Sequence, residues 1–134
     1  MKTEYVLVFP YVGDGLDRRA LVHLKTHGPM TAWGLNGFGG KIDGAETPED
    51  AVHREIDEEL GSEVTDVELL EVLRYPDAIV HVYKACLTGG TVCRLQDTPE
   101  SRRSMWLEQY DINRIGFIWA SGALKNLTRV LEAA

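Results

Sequence analysis

Residues 39 to 61 constrain the fold of this chain most, because they indicate a glycine-rich turn that leads into a short helix. Thr47 is a favourable N-cap, and an acidic residue three places on completes an approximate capping box. Pro48 suits the first helical position, where its missing N–H is not needed. Gly61 is a natural residue to end a helix. These signals predict a helix from Pro48 to Leu60.

The predicted helix has an acidic surface beside its apolar face. It carries six acidic side chains and one arginine, Arg54. At about 100° per residue its apolar side chains form one stripe, and three carboxylates border that stripe: Glu55, Glu58 and Glu59. Converging, partly buried carboxylates need a counter-charge, which a hard divalent cation with oxygen ligands would supply. The alternative interpretation is a solvated acidic face with no ligand.

The whole stretch resembles the Nudix box, a pattern of glycine, glutamate, arginine and paired glutamates at fixed spacing. Eight residues of this chain fill its fixed positions: Gly40, Glu46, Arg54, Glu55, Ile56, Glu58, Glu59 and Gly61. The one departure is Ser62, where the pattern has an aliphatic residue that normally serves in packing. The resemblance implies an α/β fold, an α/β/α sandwich around a mixed β-sheet. It also implies hydrolysis of a nucleoside diphosphate linked to another group, X.

The resemblance further implies metal-assisted attack of water on phosphorus, with Mg²⁺ as the cofactor and Mn²⁺ as the alternative ion. It makes Glu55, Glu58, Glu59 and the carbonyl of Gly39 metal ligands. Glu55 is the first candidate for the general base and Glu58 the second. Arg54 is expected to orient the glutamates through charge-assisted bonds. A structural ion pair and a direct phosphate contact both stay open for this arginine.

Two more carboxylates are candidates for the site. Glu46 fits a loop and network residue better than a metal ligand. Members of the MutT type add a carboxylate from a loop beyond the fourth strand, and Glu100 stands at about that place, ahead of Trp106. Glu100 is therefore predicted as a further metal ligand, with an ordinary exposed loop glutamate as the alternative.

Beyond the box, the chain most resembles the purine nucleoside triphosphatases that remove oxidised nucleotides. Asn36, in Asn-Gly-Phe-Gly-Gly-Lys, matches the stretch in which their asparagine reads the base. Trp119 stands close to the position of their base-stacking tryptophan, and packing of the last helix is its alternative role. Lys25 is a candidate phosphate contact or an exposed lysine. The predicted substrate-binding residues are Lys25, Asn36, Phe38, Lys41 and Trp119.

The chain departs from those enzymes where they carry an aspartate pair that reads the purine edge. Here Ala120, Ser121 and Gly122 follow the tryptophan, and Leu35 precedes Asn36 where they have a second tryptophan. The resemblance therefore implies a triphosphate pyrophosphohydrolase without implying specificity for 8-oxoguanine. It predicts conversion of NTP or dNTP into NMP or dNMP plus pyrophosphate, with nucleotide-pool sanitation as a role.

Two other functions stay open. One is a Nudix activity on ADP-ribose or a dinucleoside polyphosphate, because Pro76 lies near where ADP-sugar members carry a proline. The other is a non-catalytic nucleotide-sensing module. Its usual mark is the loss of a box glutamate, and every box glutamate is present here.

Composition limits the class of protein. A length of 134 residues predicts one domain over residues 1–134. No apolar run reaches the length of a membrane span, and the N-terminus lacks a signal-peptide core. Two cysteines, Cys86 and Cys93, make no disulfide framework, so a cytoplasmic setting is expected. The net charge of −7 argues against a nucleic-acid polymer as partner but allows a nucleotide substrate. The oligomeric state stays open.

Apolar periodicity places the other elements. It predicts one amphipathic helix that closes the chain and four strands. No strand is predicted between residues 26 and 47, residues 105–107 form a short apolar segment, and residues 94–103 a polar loop. The predicted strands span residues 4–12, 20–25, 67–75 and 78–87, and the closing helix spans residues 122–132.

Overall fold

The computed structural model describes residues 2–25, 34–88, 104–108, 111 and 122–132. These residues form seven strands, one 3-10 turn and two helices. The strands are β1 (Thr3–Val12), β2 (Arg19–Lys25), β3 (Gly34–Asn36), β4 (Phe38–Lys41), β5 (Val64–Arg74), β6 (Ala78–Leu87) and β7 (Ser104–Glu108). The helices are α1 (Pro48–Leu60) and α2 (Ala123–Glu132).

The described strands join in one mixed sheet with β1 at its centre. The main path runs β3-β2-β1-β6-β5, while β4 also pairs with β1 and β7 also pairs with β2. β1 and β6 run parallel, and the other pairs run antiparallel. β1 changes partner along its length: residues 5–8 pair with β4, and Tyr11 and Val12 pair with β2. The sheet therefore divides into two parts beyond this point, and β4 lies on one part and β3 on the other.

One helix covers each face of the sheet. α1 buries Val52, Ile56 and Leu60 against one face, in a core that includes Val6 and Val8 of β1. α2 packs on the opposite face, where its buried side chains include Leu127, Val130 and Leu131. Each fully buried aliphatic side chain stabilises the fold by roughly 1.5–3 kcal/mol. The predicted α/β/α sandwich around a mixed sheet is thereby confirmed.

α1 matches its prediction in extent and in both ends. The Thr47 hydroxyl oxygen accepts the Asp50 N–H at 3.1 Å, and the Asp50 carboxylate accepts the Thr47 N–H at 3.3 Å. Gly61 ends the helix in the left-handed region, at φ 61° and ψ 32°. α2 begins one residue later than predicted, because Gly122 precedes the helix at φ 78°.

Three strands were not expected from the sequence. The box glycines were predicted in a turn, but Gly39 and Gly40 lie in β4, and the 105–107 segment is part of β7. β3 and β4 are short and contain no β-branched residue, so their local propensity for extended structure is low. They are held extended by pairing, β3 with β2 and β4 with β1.

β5 begins at Val64, three residues before its predicted start. Val64 pairs with Leu87, and the ladder then contains two irregularities. Asp66 has φ 51° beside the first of them. Such bulges interrupt the alternation of apolar and polar residues from which strands are predicted.

Within the residues described, no helix is both long enough and apolar enough to cross a membrane.

Candidate active site

β4 lies close to both α1 and β1 because two of its positions lack a side chain. A Cβ atom on Gly40 would collide with the carboxylate oxygen Oε1 of Glu55. A Cβ atom on Gly39 would collide with the main-chain carbonyl of Val6 in β1. Glycine is the residue that permits such contacts. The predicted close backbone approach therefore has two partners, the α1 carboxylate and the central strand.

Arg54 contacts the loop after β4, the end of β4 and the carboxylates of α1. Its Nε and Nη2 donate to the two carboxylate oxygens of Glu46, at 2.8 and 3.0 Å, in a bidentate pair. Its Nη1 donates to Glu55 at 3.0 Å and lies 3.4 Å from Glu58. Its Nη2 also donates to the carbonyl of Lys41 at 3.0 Å. One guanidinium group thus contacts the loop after β4, β4 itself and the carboxylates of α1.

The helix carboxylates converge on one side of α1. Glu55 and Glu58 both contact the same nitrogen of Arg54, so their carboxylates lie next to each other. Glu55 is 6% exposed, whereas the Glu58 side chain is 56% exposed and Glu59 is half-buried. Glu55 is thus the buried carboxylate of the three, and Glu58 is the open one.

The donor set fits a hard divalent cation. Three carboxylates on adjacent turns, with the exposed backbone of Gly39 alongside, are oxygen ligands of the kind that Mg²⁺ prefers. In the parts of the chain that are described, no three or more His, Cys, Asp or Glu side chains are already gathered at metal-binding distances. Arg54 instead holds Glu55 and Glu58.

Burial raises the pKa of Glu55 above its usual value, while the charge and hydrogen bond of Arg54 oppose this shift. A carboxylate with a raised pKa is better suited to accept a proton than an ordinary surface glutamate. A cation bound beside it would favour the charged form. Glu55 is therefore a buried carboxylate that a single arginine contacts on one of its oxygens.

The Glu46 carboxylate stabilises the folded chain through Arg54. Hydrogen bonds from Arg54 and from the Asp43 N–H lower the pKa of Glu46 to about 2, from an ordinary 4.5. Because the folded pKa is the lower one, this stabilisation is present above the unfolded pKa and is lost as the pH falls through the folded pKa.

We expect Glu46→Gln to lower the urea midpoint at neutral pH, and the difference from wild type to shrink between pH 4.5 and about 2. Glu63→Gln, which changes an exposed glutamate after α1, is the matched control. A difference that stays constant across this range would show that the carboxylate charge does not act through Arg54.

The predicted base-reading residue lies next to the box strand. Asn36 ends β3, is 8% exposed, and accepts the Gly37 N–H on its Oδ1 at 2.9 Å. Lys41 ends β4 with an exposed side chain, beside the Arg54 network. The ring of Phe38 is 1% exposed and stacks on His23, so the contact that the structure shows for it is packing, and its substrate contact stays a prediction.

The remaining predicted residues are only partly described. Lys25 is the last residue of β2, and its backbone alone is described. Glu100 and Trp119 lie outside the described residues, as do Cys93 and the predicted polar loop at 94–103.

Two residues near the site were not singled out from the sequence. Asp43 forms an ion pair with Arg54 at 3.6 Å, and His23 contacts the carbonyl of Gly37 at 2.8 Å. Asp43 follows β4 by two residues and carries no motif signal. His23 lies in a mostly apolar strand and carries no motif signal, so only its contact with Gly37 draws attention to it.

A family model described as the NUDIX domain matches residues 2–119. A comparison with curated protein sequences found no match. Among solved structures, a NUDIX-family hydrolase from Clostridium perfringens is similar, with a TM-score of 0.75, 23% identity, and coverage of 98% of this chain and 97% of that one.

Two further structures share the fold. MutT from Aliivibrio salmonicida and Vibrio cholerae has a TM-score of 0.69 at 16% identity, covering 99% of this chain and 98% of that chain. The NUDIX domain of Shewanella oneidensis NrtR, complexed with ADP ribose, has a TM-score of 0.69 at 20% identity, with 97% and 86% covered. With the family model matching most of its length, the chain belongs to the NUDIX domain family, whose members hydrolyse a nucleoside diphosphate linked to another group.

Proposed function

We propose that this chain is a Mg²⁺-dependent nucleoside triphosphate pyrophosphohydrolase, which converts NTP or dNTP into the monophosphate and pyrophosphate. The observation that carries the proposal is the convergence of Glu55 and Glu58 on one nitrogen of Arg54, beside the glycine strand that follows Asn36. This arrangement puts a cation-binding end next to a residue that can contact a base. A role in nucleotide-pool sanitation rests on the same resemblance.

Glu55, Glu58, Glu59 and the carbonyl of Gly39 would hold the cation, which supplies charge neutralisation of the phosphate oxygens. Glu100 is a further candidate ligand. Glu55 would accept the proton of the attacking water, with Glu58 as the second candidate. Arg54 would orient these carboxylates, since it already contacts Glu55 and Glu58.

The substrate end would be formed by residues that flank this centre. Asn36 would contact the base, and Lys41 would contact phosphate oxygens from the exposed end of β4. Lys25 and Trp119 stay candidates for phosphate contact and base stacking. A stacked aromatic ring can hold any base with little sequence preference.

A second candidate function is hydrolysis of ADP-ribose or of a dinucleoside polyphosphate. One observation favours it: the NrtR NUDIX domain, which was solved with ADP ribose, matches this fold as well as MutT does. Both candidates use the same cation-binding carboxylates, so the substrate alone separates them.

The test is product release from canonical and oxidised nucleoside triphosphates, ADP-ribose and diadenosine polyphosphates, with Mg²⁺ and with EDTA. We expect pyrophosphate from at least one triphosphate, only when Mg²⁺ is present. Turnover of ADP-ribose alone would overturn the triphosphate assignment and support the second candidate. Binding of nucleotides without any turnover would indicate a sensing module.

A further inference from the structure

His23 binds the connection between the two parts of the sheet. Its Nε2 lies 2.8 Å from the main-chain oxygen of Gly37. Because a carbonyl only accepts, Nε2 carries the proton in this bond. The imidazole also stacks on the ring of Phe38, with centroids 4.4 Å apart and planes 14° apart. His23 is 5% exposed, so this bond is made away from competing water.

Gly37 is the single residue between β3 and β4, and it is where the chain changes sheet partner. Before it, Asn36 pairs with His23 of β2; after it, Phe38 pairs with Val8 of β1. A Cβ atom on Gly37 would lie 2.5 Å from the Val8 carbonyl, so the main chain passes directly against β1. One residue thus joins the strand that bears Asn36 to the strand that bears the box glycines.

We infer that His23 is a positioning residue that fixes Asn36 relative to the cation-binding end of the site, and thereby sets the preference for the base. The inference rests on the proposed contact between Asn36 and the base. His23 touches neither substrate nor metal in this scheme. It acts by holding Gly37 from the β2 side while β1 contacts it from the other.

The same geometry indicates which atom of Asn36 would contact a base. Its Oδ1 accepts the N–H of Gly37 at 2.9 Å, so the amide oxygen is directed to the main chain. The amide nitrogen Nδ2 is then the atom that Asn36 would offer to a ligand, as a donor. Asn36 would therefore favour bases with a carbonyl or ring-nitrogen acceptor at that place. A displaced Gly37 would misdirect this donor.

Two substitutions separate the hydrogen bond from the ring stack. His23→Phe keeps a ring against Phe38 and removes the donor to Gly37, whereas His23→Gln keeps an N–H donor at similar reach and removes the ring. His81→Phe is the matched control, because it makes the same substitution in β6, on the far side of β1 from β2, where the histidine bonds to Glu4 at 2.9 Å.

The measurement is the dissociation constant for ADP, GDP, CDP and UDP in the presence of Mg²⁺, together with Mn²⁺ affinity and thermal stability. The nucleoside diphosphate is common to all the candidate substrates, so this test does not depend on which of them is cleaved. We expect His23→Phe to reduce the ratio of tightest to weakest binding by about fivefold, the factor that one typical hydrogen bond supplies. Its Mn²⁺ affinity should match wild type, and His23→Gln and His81→Phe should keep the wild-type ratio.

The inference is overturned if His23→Phe lowers thermal stability and leaves the ratio unchanged, because His23 would then be a packing residue. A ratio that is lost in His23→Gln and kept in His23→Phe would place the effect in the ring stack and also overturn it. A loss in both variants would not single out the hydrogen bond to Gly37 and would overturn it as well. So would a wild-type protein that shows no preference among the four nucleotides. The proposed function fails separately, in the assay of product release.

Discussion

Glu59→Gln is expected to reduce Mg²⁺-dependent turnover at least ~100-fold while leaving the fold intact. Residues that only support a metal ligand typically cost ~10–100-fold when replaced, so loss of a charged ligand should cost at least as much. Glu59 is half-buried on the side of α1 that bears Glu55 and Glu58, and glutamine keeps its shape. The measurement is kcat across a Mg²⁺ titration, with circular dichroism and Tm for the fold.

Asp57→Asn is the matched control for Glu59→Gln. It removes one carboxylate charge from the same helix at an exposed position. We expect it to keep wild-type turnover. A Glu59→Gln protein that remains active without added metal would remove the basis for the assignment of the box carboxylates as cation ligands.

Arg54→Lys is expected to lower turnover by roughly 10–100-fold, the range found when a residue that orients metal ligands is replaced. Lysine cannot reproduce the bidentate pair with Glu46 while also donating to Glu55 and to the carbonyl of Lys41. The Mg²⁺ concentration for half-maximal rate should rise, because the carboxylates lose their orientation.

The control for Arg54→Lys is Arg74→Lys, an exposed arginine at the end of β5. We expect this variant to match wild type in rate and in Mg²⁺ dependence. Full activity in Arg54→Lys would show that a point charge is enough, and that the fork of hydrogen bonds serves stability and not the reaction.

Predictions from local signals were accurate. α1 has the predicted limits because its start and end depend on neighbours in sequence: Thr47 with Asp50, and Gly61 at its C-terminus. The apolar stripe and the carboxylates beside it follow from the helical period alone. β1 and β6 were also predicted nearly to the residue, since runs of apolar residues bounded by turn signals indicate strands.

Other features depend on tertiary contacts, which the sequence patterns did not reveal. β3 and β4 are held extended by pairing with distant strands, which short glycine-rich segments do not reveal. Phe38 stands in the motif that resembles a substrate site, yet its ring packs in the core against His23. His23 and Val8 contact Gly37 from two different strands, and no sequence pattern links the two residues.

By itself, then, the sequence determined the family, the carboxylate helix and the set of candidate ligands, because each depends on spacing along one continuous segment. Tertiary structure alone decided how those parts meet. It brought Arg54 to the Glu46 carboxylate and to the carbonyl of Lys41, and it placed the backbone of Gly40 against Glu55. It also joined Asn36 to the glycine strand through a residue that His23 holds. Such contacts depend on distances between segments remote in sequence, which only the packed sheet and helices define.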